Sequence, residues 1–110
     1  MIFFASYFNK KHHIGHIMAI SIMQPGIYDE FDLLFPTVDL FYNKNNISWE
    51  EFKKQYREIL ENRREDIIDR LSNRDEEDIT FCCWERTPYN CHRIVAFEFL
   101  KEIGYKVELH

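Results

Sequence analysis

The chain has 110 residues, enough for one domain and too few for two independent cores. Apolar residues make up 45% of it, with ten Phe, six Tyr and two Trp against only three Gly and three Pro, which excludes a disordered, collagenous or linker-like chain. The formal net charge of -5 argues against broad, sequence-independent nucleic-acid binding, which needs a basic face to displace counterions from phosphates, and leaves room only for a local basic pocket.

Residues 1–8 are apolar, but Asn9, Lys10 and Lys11 interrupt them well short of signal-peptide or membrane-spanning length. Residues 2–7 read as a strand, and residues 17–23 as a second one, bounded by Gly15 and by Pro25-Gly26. Both are continuous apolar runs, the pattern of central strands in a parallel sheet covered on two faces. Residues 9–16 between them are polar, carry His12, His13 and His16, and predict a loop. Residues 28–42 show no single period, and Pro36 divides them.

Residues 43–46 predict a turn, after which Ser48 with Glu51 three positions later forms a capping box that opens a helix. Phe52, Tyr56, Ile59 and Leu60 share one face of it. Ile67, Ile68 and Leu71 continue at helical spacing as a second helix, and the alternating acids and bases form a solvated side. Residues 73–78 predict an acidic turn and residues 79–84 a third strand. Helical character resumes at residue 90 and runs to Gly104, a C-cap preceded by Lys101 in the last turn. Residues 105–109 alternate apolar and polar, as a strand with one drier face does. Strand, loop, helix and strand within about thirty residues is the length of a right-handed crossover. The whole chain, residues 1–110, therefore predicts one small three-layer, Rossmann-like α/β domain with a mostly parallel sheet.

Chemistry concentrates between Cys82 and Arg93, where a buried strand ends, a loop crosses the sheet and a helix begins. Ligands of open α/β sheets bind at that edge, and a helix start offers free N–H groups and a partial positive charge to an anion. Arg86, His92 and Arg93 are the predicted partners of an anionic ligand. Glu85 suits a hydroxyl or acts as a base, and Tyr7, Trp84 or Tyr89 stacks on a base ring. Cys91, in the first helical turn, is a candidate nucleophile if exposed, because the helix dipole lowers a thiol's pKa. Cys82 and Cys83 alternate to opposite faces and read as core thiols.

No metal or cofactor site is predicted. Cys83, Cys91 and His92 lack a paired C-x-x-C knuckle, and adjacent residues on a helix diverge by about 100°. The histidines of residues 9–16 read as surface groups, and no Walker loop or G-x-G-x-x-G is present. Three cysteines, two of them adjacent, do not suit a secreted disulfide framework, so reduced thiols and a cytoplasmic location are expected. No membrane partner is expected, and self-association is left open.

Cys83-Trp84-Glu85-Arg86, a short loop and Cys91-His92-Arg93, followed by Val95-Ala96 and Leu100, resemble the bacterial and phage family called domain of unknown function 488, whose signature reads C-Y-E-K, a loop, C-H-R. Ala5-Ser6-Tyr7 resembles that family's opening strand and Ile20-Ser21-Ile22 its second strand. The run from Ile47 to Phe52 with Tyr56 resembles its W-E-E-Y helix, and Pro36-Thr37 sits where short members have Pro-Ser-Trp. The resemblance implies a compact α/β domain with the C-H-R segment at a helix start, and it adds Ser6, Tyr7 and Ser21 to the expected ligand-binding set. Many relatives carry a basic residue where this chain has Met23, Gln24 and Pro25, which implies a weaker anion site or a different ligand.

Three functions follow as expectations. The first is binding of a small anionic, nucleotide-derived ligand in a sequestering or sensing role. The second is hydrolysis or transfer at a glycosidic bond with Glu85 as nucleophile or base, Cys91 serving in a variant of it. The third is a protein-interaction module in which the C-H-R segment only braces the fold.

Overall fold

The computed structural model describes residues 1–74 and 77–110. Among these residues five strands, β1 (Ile2–Ser6), β2 (His16–Ala19), β3 (Asp29–Glu30), β4 (Ile79–Cys83) and β5 (Val107–Leu109), form one sheet in the order β3-β2-β4-β1-β5. Every pairing is parallel, where the sequence supported only a mostly parallel sheet. The helices are α1 (Val38–Asn43), α2 (Trp49–Asn62), α3 (Arg64–Ser72) and α4 (His92–Ile103).

β1 and β4 pair at the centre of the sheet and all ten of their residues are buried, which their unbroken apolar runs require. Side chains alternate across them. Phe4, Phe81 and Cys83 face a main core shared with Phe52, Tyr56, Leu60, Phe99 and Leu100 of α2 and α4. Ala5, Tyr7 and Cys82 face the other side, where Ala19 joins them. A thin outer layer covers that side: the 3-10 turn Lys10–His12 leads into Ile14, whose N–H donates to Thr80 Oγ1 and whose carbonyl accepts from it. The result is a small Rossmann-like α/β fold with a thick helical layer and a thin looped one.

Four expectations change. β2 ends at Ala19 and not at residue 23: the Ile20 N–H still donates to the Cys82 carbonyl, but the Ile20 carbonyl turns away to His92, and Ile20 and Ser21 stay buried. β3 is a two-residue polar edge strand that the period of residues 28–42 did not reveal. Asn43 belongs to α1 and not to the turn after it. α4 begins at His92, with Cys91 as its extended N-cap and Asn90 before it in the left-handed region at φ 60°. Of the predicted acidic turn over residues 73–78, Asp75 and Glu76 lie outside the described residues.

The capping box holds on its first half: the Glu51 N–H donates to Ser48 Oγ at 3.1 Å. Ser48→Ala is expected to lower stability by about 1 kcal/mol, read as a shifted urea midpoint with an unchanged slope. Gly104 closes α4 at φ 120°, a conformation that favours glycine. Among the described residues no helix is long and apolar enough to cross a membrane.

Candidate functional site

β1, β2 and β4 run in the same direction, so their carboxyl ends lie at one edge, where α/β folds bind ligands. A cleft of about 400 Å³ opens there. The β4–α4 connection contributes Trp84, Glu85, Asn90 and His92; the segment after β2 contributes Ser21 and Ile22. Pro36, Phe41, Lys44 and Asn45 come from the α1 region, and Trp49 and Phe52 from the first turn of α2.

Four predicted residues thus share the wall: Ser21, Trp84, Glu85 and His92. Two others stand behind it. The Ser21 hydroxyl donates to the Met23 carbonyl, so the Tyr7 hydroxyl is the donor in its 2.6 Å bond to Ser21 Oγ. Burial raises the Tyr7 phenol far above its ordinary value, which keeps it a neutral donor. Tyr7 also stacks on Tyr28, with 5.6 Å between ring centroids, and meets the edge of Trp84 at the same separation. Ser6 is buried and accepts the Phe8 N–H at 3.2 Å.

The Met23 carbonyl accepts a second bond, from Trp84 Nε1 at 2.7 Å. Met23 therefore serves through its backbone, joining the loop after β2 to the loop after β4. His92 anchors the same two segments. Its Nε2 lies 2.7 Å from the Ile20 carbonyl oxygen, and its ring packs edge-on against Tyr56 at 5.5 Å.

The remaining predicted residues are placed differently. Arg86 is exposed and lies over the Phe8 ring at 5.2 Å, away from the cleft wall, and Tyr89 is exposed and off the wall as well. Cys91 is sealed beneath the wall, and burial, reinforced by its hydrogen bond to Cys83, pushes its thiol far up. A reactive thiol needs exposure and a lowered pKa, and Cys91 has neither.

Arg93, expected to face an anion, is 0% exposed. It sits under the cleft as a brace. Its Nε donates to the His110 carbonyl at 3.1 Å, and its Nη1 to the Glu85 carbonyl at 2.7 Å and to Cys83 and Cys91 Sγ at 3.1 and 3.4 Å. Its Nη2 finds no partner among the described residues. The helix pattern carried the signal for this burial, because Arg93 is in phase with Ala96 and Leu100, both buried.

Lys44 supplies the cationic side chain on the described wall, where arginines were expected, with its Nζ 3.7 Å from Glu85 Oε1. Both groups are partly exposed, so their attraction is screened and both stay free to meet a ligand. The cleft therefore joins aromatic surface to one cation, one carboxylate and several amide or hydroxyl groups. Lys44, Asn45, Phe41, Trp49 and Phe52 were not foreseen as site residues. Phe41, Trp49 and Phe52 lie in α1 and α2, and Lys44 and Asn45 in the turn that follows α1, which the sequence marked only as a turn.

A family model described as the active DUF488-N3 subclade matches residues 27–104, well over half of the chain and spanning β3 to α4. The chain belongs to the domain of unknown function 488 family. The match covers all of the cleft wall except Ser21 and Ile22. No curated protein and no solved structure matches the chain.

Proposed function

We propose that this DUF488 member binds a small anionic, nucleotide-derived molecule in the cleft, in a cytoplasmic sequestering or sensing role. The observation that carries the reading is the composition of one wall region: the aromatic side chains of Trp84, Trp49 and Phe41 beside the single charges of Lys44 and Glu85. A volume of about 400 Å³ lies in the range of small-molecule sites. Aromatic faces take a base by stacking, and Lys44 takes one anionic group. Glu85, Asn45 and Asn90 suit the hydroxyls of a ribose.

Two expectations test it. A nucleoside monophosphate should raise the melting temperature and be recovered unchanged. Lys44→Met should weaken that ligand about tenfold, the effect of one charge-assisted hydrogen bond of roughly 1.5 kcal/mol, and leave the uncharged nucleoside unaffected in calorimetric titration. An equal loss for both ligands would remove Lys44 from the anion's contacts.

A second reading is favoured by Glu85, which stands on the wall, and by the description of the matched subclade as active. In it Glu85 attacks or activates a nucleophile at the glycosidic bond of a bound nucleotide. Release of free base that Glu85→Gln abolishes, while binding persists, selects this reading over binding alone.

A further inference from the structure

Where His92 lines the cleft wall, three ligand-bearing side chains converge, and the nucleotide contacts proposed above use none of them. Cys83 Sγ, Cys91 Sγ and a ring nitrogen of His92 all lie within 4.8 Å of one another. Helical spacing spoke against such a group, since adjacent helical residues diverge by about 100°. That argument does not apply here. Cys91 is the N-cap of α4, extended at φ -116° and ψ 141°, so its side chain and that of His92 turn to the same place at the end of β4.

Two features of the surroundings prepare these groups as ligands. The Ile20 carbonyl can only accept, so the 2.7 Å contact fixes the proton of neutral His92 on Nε2 and leaves the lone pair on Nδ1. A histidine held by a backbone carbonyl on its far nitrogen is the usual outer-shell arrangement of a metal ligand. Arg93 prepares the sulfurs. Its buried guanidinium donates from Nη1 to both Cys83 and Cys91 Sγ, at 3.1 and 3.4 Å, and such a charged donor favours sulfur in the thiolate form in which cysteine ligates.

We propose that Cys83, Cys91 and His92 form a binding site for one thiophilic divalent cation, zinc by ligand chemistry, with two thiolates and an imidazole as protein ligands. Three protein ligands leave a tetrahedral cation one further position, for water or a ligand atom. His92 lies on the cleft wall, so that position belongs on the cleft side. Two thiolates cancel the charge of the cation, and Arg93 then leaves one positive charge under the cleft, which favours an anionic group above it. The proposal stands whether or not the cleft takes a nucleotide.

Cobalt titration of the reduced full chain tests it. One equivalent of Co²⁺ should produce sulfur-to-cobalt charge-transfer absorption with the intensity of two thiolates, and native mass spectrometry should show one zinc retained per chain. Cys83→Ser and Cys91→Ser should each weaken binding roughly 100-fold or more. Cys82→Ser, whose sulfur faces the opposite side of the sheet, should bind as the parent does. Wild-type protein that retains no zinc and gives no charge-transfer band, or a band with the intensity of fewer than two thiolates, overturns the proposal even if the serine variants do not fold. So does binding that survives Cys83→Ser and disappears in Cys82→Ser.

Discussion

Arg93→Ala is expected to cost the fold about 3–5 kcal/mol, the range for removing one partner from a buried charged cluster. The guanidinium is wholly buried and ties together three parts of the chain: the end of β4 through Cys83, the loop after it through the Glu85 carbonyl, and the segment beyond β5 through His110. Its removal leaves two half-buried backbone oxygens and two buried sulfurs short of a donor, and a cavity of side-chain size in the first turn of α4. Small domains are stable by only about 5–15 kcal/mol, so this loss should be visible as a large fall in the urea midpoint. Arg93→Lys should recover little of it, because a point charge cannot serve Nε and Nη1 acceptors at once. A change below about 1 kcal/mol in Arg93→Ala would mean that the cluster is solvated and not the brace described here.

Trp84→Ala carries the largest expected effect on binding. Loss of one stacked aromatic is worth about 1–3 kcal/mol per base, which corresponds to roughly 5–150-fold weaker binding of a nucleotide. Trp84 is exposed at 39%, so its truncation should move the melting temperature far less than Arg93→Ala does. The indole also holds the Met23 carbonyl, and Trp84→Phe separates the two contributions: a ring remains, and the tie between the loops is lost. Near-parental affinity in Trp84→Phe assigns the effect to stacking. An unchanged dissociation constant in Trp84→Ala, measured by calorimetry, would take Trp84 out of the site.

The central strands and the capping of α2 were legible because each depends on local chemistry. β1 and β4 are apolar without interruption, and Ser48 lies next to the N–H it caps. The end of β2 was not legible. Ile20 is as buried as a strand residue, yet its carbonyl is turned out of the ladder to meet His92, a partner seventy-two positions away. Periodicity records burial and is blind to which carbonyl a buried residue bonds.

The site divides along the same line. Trp84, Glu85 and His92 follow from a single strand-to-helix loop, so the sequence points to them directly. Lys44 and Trp49 reach the same cleft from the C-cap of α1 and the first turn of α2, and only tertiary packing brings them there. Arg93 shows the opposite error. An arginine beside a helix start reads as an anion contact, but its phase with Ala96 and Leu100 puts it inside, where its charge organises sulfur and backbone. Cys91 follows from the same geometry, since the dipole argument for a reactive thiol fails once the thiol is sealed.

The most direct measurement is a two-dimensional ¹⁵N–¹H spectrum of the full chain during addition of a nucleoside monophosphate. The chain has two tryptophans, Trp49 and Trp84, and both line the cleft, so the two indole N–H signals report on its occupancy. Both should shift together and saturate with a common dissociation constant, while the amides of β5 stay in place. If millimolar nucleotide leaves both indole signals unmoved, the cleft does not take such a ligand.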